Sequence, residues 1–128
     1  MLVGKFFKNI NQKNRNHFFS GLSFNSKNVI KNNIFFAIRG TSINANQYIE
    51  EAIKKGATTI VSNLNLQGKK NRILYIKTNS SRKLLSEVAS KFYKNKPQNL
   101  VAVTGTNGKS SVADFYFQIL KLNNKKVA

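Results

Sequence analysis

The chain has 128 residues, of which 41% are hydrophobic and 20% are charged, so its length suits a domain with a buried core. Four acidic residues stand against 22 lysines and arginines, which gives a formal net charge of +18. So few carboxylates argue against paired-carboxylate hydrolysis and two-metal chemistry. The lack of cysteine excludes disulfides, thiolate metal sites and cysteine nucleophiles. No apolar run approaches the roughly 20 residues of a membrane span, and we expect a soluble, cytoplasmic protein.

The positive charge allows two interpretations. A large positive field attracts polyanions, which is typical of proteins that bind nucleic acid or an anionic membrane surface. Alternatively, the charge reflects a drift in composition, because lysine, asparagine and isoleucine are over-represented together and the lysines are spread along the whole chain. We favour the drift, and we keep a basic nucleic-acid-binding module as the alternative.

Apolar segments of two kinds alternate along the first part of the chain. Residues 1–17 form a short amphipathic start. A helix is expected near 46–55, where apolar residues share one face, and Gly56 follows where a left-handed residue would end a helix. The polar stretch between 62 and 73 is expected to be a loop. Runs with strand character are residues 20–24, 34–38, 58–62 and 73–77.

The clearest element is a second helix, because apolar residues from Leu84 to Tyr93 recur with helical spacing after candidate caps at 79–81. This helix should end before Pro97, the only proline of the chain. Residues 99–103 then predict a strand, and a last amphipathic helix follows the glycine-containing segment after it. This alternation of strands and helices indicates an α/β chain.

The strongest chemical signal is the segment 104–111, which lies between the apolar run and the last helix. Glycines in such a loop let successive backbone N–H groups point into one concavity, and the following helix N-terminus adds its positive dipole end. Lys109 would then place its ammonium group on the β- and γ-phosphates, and Ser110 would offer a hydroxyl to Mg²⁺. Val103 stands where the general pattern has its first glycine, and Gly105 supplies flexibility instead. The alternative is an ordinary turn that opens a helix.

The sequence of this loop, Thr104 to Ser110, resembles the ATP loop of the Mur ligases, cytoplasmic enzymes that build the peptidoglycan stem peptide. Its Thr-Asn pair is similar to that of the member that adds the third residue of the peptide. The resemblance extends upstream through most of the chain, while residues 1–17 have no counterpart. The matching segments are the turn at 24–27, the strand and its exit at 33–40, the helix and Gly-Ala exit at 48–57, and the approach to the loop at 92–100.

The resemblance implies a small N-terminal α/β domain, residues 1–96, that binds a UDP-sugar. Residues 97–128 would be the first strand, P-loop and helix of a truncated, Rossmann-like ATPase domain. The implied activity is an ATP-dependent ligase that adds the third amino acid to UDP-N-acetylmuramoyl-L-alanyl-D-glutamate through an acyl phosphate. The member that adds D-alanyl-D-alanine is an alternative. We expect these residues alone to be inactive and monomeric, with no specific nucleic-acid or membrane partner.

The resemblance also implies which residues form the sites. Lys109 is implied as the catalytic residue and Ser110 as the ligand of Mg²⁺. ATP would contact Gly105, Thr106, Asn107, Gly108, Lys109, Ser110 and Ser111. The uridine end of the substrate would lie against Phe24, Ser26, Thr41, Ser42 and Ile43, since a ring can pack on a uracil face and a hydroxyl can meet its polar edge. Asn25 and Lys27 stand where the family has Asp and Arg, which changes the charge of this pocket.

Overall fold

The computed structural model describes residues 1–40, 45–95 and 97–127. It divides into two compact units, Met1–Lys94 and Asn95–Ala128. The first unit contains a five-stranded sheet with two α-helices, and the second contains the last helix. Within the described ranges, no helix has both the length and the apolar character that crossing a membrane requires.

The sheet of the first unit is mostly parallel. Its strands are β1 (Gly21–Ser23), β2 (Asn33–Phe36), β3 (Thr59–Ser62), β4 (Gly68–Lys70) and β5 (Ile73–Lys77). They lie in the order β1-β2-β3-β5-β4, and only β4 runs antiparallel to its neighbour, β5. Helix α1 (Ile49–Lys54) follows a 3₁₀ turn at Ala45–Tyr48 and connects β2 to β3, while α2 (Ser81–Phe92) follows β5.

Two hydrophobic clusters cover the two faces of the sheet. Ile34 and Phe36 of β2 belong to one cluster and Phe35 to the other, because successive side chains of a strand point to opposite faces. Helix α1 contributes Ala52 to the cluster of Phe35, and α2 contributes Val88 to the cluster of Ile34. Every residue of β2 and of β3 is buried, as expected for parallel strands covered on both faces.

The segment before β1 is part of this core. Val3 and Phe19 are fully buried and Phe7 nearly so, and all three belong to the cluster that α2 covers. The ring of Phe6 meets that of Phe19 edge to face, with centroids 5.1 Å apart. The amphipathic start predicted from the sequence therefore has a structural role in closing one face of the sheet.

Most of the predicted elements are confirmed, and two predictions are wrong. The four predicted strands correspond to β1, β2, β3 and β5, but the expected polar loop contains β4, an edge strand rich in lysine. Residues 99–103 form no strand, so the predicted opening strand of the second domain is missing. A strand is stabilised by hydrogen bonds to a neighbour, and no strand lies in the described part of the second unit. Leu100 is accordingly 85% exposed.

The second unit contains helix α3 (Lys109–Leu122), as the sequence predicts. None of its residues is buried, although Phe115, Tyr116 and Ile119 form part of an apolar face. The helix therefore derives little stabilisation from packing, which is the main source of stability for helices in proteins.

Candidate functional site

A cleft of about 650 Å³ opens in the first unit. It is lined by residues that follow β1 and β2, by Tyr48 at the end of the 3₁₀ turn before α1, and by Arg82 and Leu85 in the first turns of α2. Parallel strands place their carboxyl ends at one edge of the sheet, and ligands of open α/β sheets bind in the crevice outside that edge. The cleft is therefore the best candidate ligand site of this unit.

Two of the predicted uridine contacts, Phe24 and Ser26, line this cleft. Phe24 is 66% exposed, so its ring offers an apolar face to a ligand. Ser26 is only 6% exposed and begins a short 3₁₀ helix, Ser26–Asn28, where its hydroxyl donates to Oε2 of Glu51 across 2.8 Å. The other predicted contacts, Thr41, Ser42 and Ile43, lie outside the described residues.

Glu51 connects the cleft to helix α1. Its Oε1 forms an ion pair with Nζ of Lys55 across 3.0 Å, and Nζ also donates to the backbone carbonyl oxygen of Lys27 across 3.3 Å. The hydrogen bond from Ser26, together with the Lys55 ammonium group, lowers the pKa of Glu51 below its ordinary value. Glu51 is therefore ionised at neutral pH and accepts hydrogen bonds from both partners.

Two cleft residues, Tyr48 and Arg82, were assigned no role from the sequence. The sequence does contain a signal for Arg82. This residue lies in the first turn of the helix after β5, and a helix that follows a parallel strand begins at the same edge of the sheet as the turn after β1. Arg82 and Lys27 make the cleft cationic. A guanidinium group in such a position suits the phosphate oxygens of a nucleotide.

The second candidate site is the loop before α3. Gly108 precedes the helix with a φ of 74°, a left-handed conformation that glycine adopts at little cost. The Nζ of Lys109 donates to the carbonyl oxygen of Gly105 and, across 3.1 Å, to that of Thr106. The lysine therefore folds back over the loop and holds its ammonium group against the backbone carbonyl oxygens of Gly105 and Thr106.

The first turn of α3 completes this loop. Ser110 and Ser111 are exposed there, and the backbone N–H of Val112 donates to the carbonyl oxygen of Gly108 across 3.0 Å. The helix begins directly after Gly108, so its positive dipole end faces the loop. Glycine backbone, ammonium group and hydroxyls together fit the phosphates of a nucleotide.

The described residues contain little that could bind a metal without a nucleotide. Within 1–40, 45–95 and 97–127, no three or more His, Cys, Asp and Glu side chains lie together as a potential metal site. Asp114 accepts a hydrogen bond from Nε2 of Gln118 across 2.7 Å and lies on the exposed surface of α3. A Mg²⁺ ion at Ser110 would take its remaining ligands from phosphate oxygens and water, as Mg²⁺ commonly does.

His17 lies in the first unit near the amino end of β3. Its Nε2–H donates to the backbone carbonyl oxygen of Thr58 across 3.0 Å. Burial lowers the pKa of His17; the hydrogen bond to Thr58 opposes this shift, and the charge of Lys69 adds to it. The ring is therefore neutral at physiological pH and joins the segment before β1 to the sheet.

Comparison with known proteins bears on what these sites bind. Over 120 residues the chain is 39% identical to the UDP-N-acetylmuramoyl-L-alanyl-D-glutamate--2,6-diaminopimelate ligase of Rickettsia prowazekii (strain Madrid E). The match covers 94% of this chain and 25% of that protein. The resemblance to the Mur ligases is confirmed. A ligase of the same name from Clostridium tetani (strain Massachusetts / E88) is 39% identical over 110 residues, which cover 83% of this chain and 23% of that protein.

The chain thus spans about a quarter of the length of the curated Mur ligases that it matches. No family model matches it. Among solved structures it is similar to the MurF ligase of Thermotoga maritima in complex with ADP, with a TM-score of 0.60 and 27% identity. That match covers 78% of this chain and 23% of the solved one, and it confirms the α/β fold class.

Proposed function

We propose that this chain is part of an ATP-dependent Mur ligase that adds the third amino acid to UDP-N-acetylmuramoyl-L-alanyl-D-glutamate. The observation that carries the proposal is the 39% identity over 94% of the chain to a ligase whose name specifies that substrate. The same name specifies 2,6-diaminopimelate, so we propose this compound as the amino acid that is added. We place the reaction in the cytoplasm, as the resemblance to the Mur ligases implies.

The cleft of the first unit is the proposed site for the uridine end of the substrate. The exposed ring of Phe24 offers a stacking surface for the base, and Ser26 borders the same cleft. The cations of Lys27 and Arg82 line it as well and would bind phosphate oxygens. By resemblance, Thr41, Ser42 and Ile43 complete the proposed contacts.

The loop from Gly105 to Ser111 is the proposed ATP site. In the proposed reaction the γ-phosphoryl group is transferred to the substrate carboxylate, and the amine of the amino acid then displaces phosphate to form the amide. Lys109 would neutralise negative charge on the phosphoryl group during transfer, which is chiefly a matter of positioning and electrostatics. Ser110 would hold Mg²⁺, which supplies further charge neutralisation when bound.

We further propose that residues 1–96 form the substrate domain and that 97–128 belong to the ATPase domain. The exposed apolar face of α3, with Phe115 and Ile119, supports this division, because such a face needs further packing to be stable. These residues alone should therefore not catalyse ligation.

Ligand titration of the full chain tests the proposal. We expect uridine diphosphate (UDP) to bind with one site per chain, and Phe24→Ala to weaken UDP binding about fivefold or more through loss of stacking, worth about 1–3 kcal/mol per base. We expect Lys109→Ala to weaken ATP binding at least about tenfold, because a hydrogen bond to a charged group contributes about 1.5–3 kcal/mol. Lys125→Ala, which changes an exposed lysine beyond α3, is the matched control.

An RNA titration separates this proposal from a nucleic-acid-binding module. Binding of a polyanion by the diffuse charge should weaken steeply as salt increases and should be equal in Lys109→Ala and Lys125→Ala. If UDP does not bind, and if ATP binds equally to both variants and with the salt dependence of RNA, the ligase proposal is wrong.

A further inference from the structure

Ser26 faces two neighbours at once. It lines the cleft, and its Oγ lies 2.8 Å from Oε2 of Glu51. An ionised carboxylate only accepts hydrogen bonds, so the hydrogen in this contact must come from the serine. A serine hydroxyl carries a single hydrogen, and after donating it the oxygen can offer only lone pairs to another partner. In any further hydrogen bond, including one to a ligand in the cleft, Ser26 Oγ can therefore only accept.

The position of Glu51 is fixed by contacts on both sides. Lys55 lies one helical turn away on α1 and pairs with Oε1 across 3.0 Å, which leaves Oε2 for Ser26. The same ammonium group donates to the backbone carbonyl oxygen of Lys27, the residue after Ser26. The ion pair is about 40% exposed, so it adds little to the stability of the protein and mainly orients the carboxylate.

We propose that Glu51 is a positioning residue that makes the Ser26 hydroxyl a pure hydrogen-bond acceptor and so favours uridine over cytidine nucleotides in the cleft. This inference rests on the proposed function of the cleft. The imide N3–H of uracil is a donor that matches an acceptor, whereas N3 of cytosine is itself an acceptor. In the same pose, cytosine would set two lone pairs against each other, and a buried unsatisfied acceptor is costly. Glu51 touches no ligand in this scheme and acts only through Ser26.

Titrations of the full chain with UDP and with cytidine diphosphate (CDP) test this inference. We expect the unchanged chain to bind UDP at least about fivefold more tightly than CDP, since an unsatisfied buried acceptor costs about 1–3 kcal/mol. In Glu51→Gln the side-chain amide can donate to Ser26 and free its hydrogen for the ligand. The UDP-to-CDP preference should then fall to about threefold or less, because Ser26 could donate to cytosine and accept from uracil.

Two further variants show whether Glu51 acts through Ser26. Lys54→Ala is the matched control, because it changes an exposed lysine of α1 and leaves both the ion pair of Glu51 with Lys55 and the bond between Ser26 and Glu51, so the preference should persist. Ser26→Ala should lose the preference, and adding Glu51→Gln to it should change nothing more. Glu51→Asp moves the carboxylate away from Ser26 by the length of one methylene group and should reduce the UDP-to-CDP preference as Glu51→Gln does. It provides a second variant if Glu51→Gln does not fold.

The outcomes separate this inference from the proposed function. UDP binding with the same preference in Glu51→Gln and Glu51→Asp would overturn the positioning role and leave the uridine site intact. A further loss of preference in the double variant would also overturn it, because Glu51 would then act on the ligand directly. Failure of the unchanged chain to bind either nucleotide overturns this inference and the uridine site on which it rests, while the ATP titration tests the rest of the proposed function separately.

Discussion

The rings of Phe19 and Phe92 stack with centroids 5.7 Å apart and planes inclined by 30°. Phe19 lies just before β1, and Phe92 is the last residue of α2, so this contact joins the start of the chain to the helix on one face of the sheet. Phe6 contacts both rings, at 5.1 and 6.3 Å. The three aromatic side chains hold the N-terminal segment against α2.

Removal of the Phe19 ring, which contacts both Phe6 and Phe92, should destabilise the first unit strongly. Phe19 is fully buried, so Phe19→Ala should lower the free energy of unfolding by about 3–5 kcal/mol through lost burial and the cavity left behind. Urea unfolding followed by circular dichroism measures this change. Phe24→Ala removes the same side chain at an exposed position and should cost about 0.5 kcal/mol or less. Equal losses in the two variants would contradict the packing role of Phe19.

Alanine at Gly56 should be more costly than alanine at Gly68. Both glycines have a positive φ, 108° and 90°, so both substitutions carry backbone strain of about 1–2 kcal/mol. An added Cβ at Gly56 would lie 2.8 Å from Cα of Lys31, whereas nothing lies within 4 Å at Gly68. Each variant lowers the free energy of unfolding, and the difference between the two decreases measures the cost of the steric clash with Lys31. If Gly68→Ala costs as much as Gly56→Ala, steric crowding at Lys31 is not the cause.

Acid should destabilise the first unit through His17. Burial holds its folded-state pKa below the value of about 6.5 that it has when unfolded. As the pH falls below about 6.5, the unfolded chain takes up a proton before the folded chain does, so stability decreases. Above that pH the contribution of His17 is fully present.

Urea midpoints measured from about pH 7.5 down to pH 5 follow this titration. His17 is the only histidine, so His17→Gln should flatten the decline in this window. Parallel profiles for the two proteins would show that the decline has another origin.

The backbone amides of α3 should exchange with solvent much faster than those of β2 and β3. None of the α3 residues is buried, whereas both strands are buried throughout. An isolated helix of this length is marginal in water, so its hydrogen bonds open without unfolding of the sheet. Hydrogen exchange measured by mass spectrometry distinguishes the segments. Protection of α3 equal to that of β3 would contradict the exposure of its apolar face.

The elements that were predictable from the sequence are those with local apolar patterns. Ile34, Phe35 and Phe36 mark β2 because a continuous apolar run is typical of a buried parallel strand. The edge strand β4 was missed because Lys69 and Lys70 carry no such pattern, and charged edges are how sheets avoid further pairing. Residues 99–103 have the pattern but no neighbouring strand, and strand pairing is not encoded within five residues.

The candidate cleft was only partly predictable for the same reason. Resemblance to the Mur ligases pointed to Phe24 and Ser26, and the structure shows that both line the cleft, while their contact with uridine stays a prediction. Glu51 could not be found, because its bond to Ser26 joins positions 25 residues apart on separate elements. The sequence could place Arg82 at the edge where β1 ends, because α2 follows a parallel strand, but its place in the cleft required the sheet order.

Phe24 and Ser26 form one wall of the cleft and lie just after β1, a three-residue strand at the edge of the sheet. A short edge strand detaches more readily than a central one, and while it is detached the cleft has no wall. A ligand that contacts this wall can bind only those molecules in which β1 is paired with β2. Its apparent affinity is therefore proportional to the fraction of molecules in that state. Leu22 pairs with Ile34 at the base of that wall. Selection for tight binding would therefore act on this pair, even though both residues lie outside the cleft.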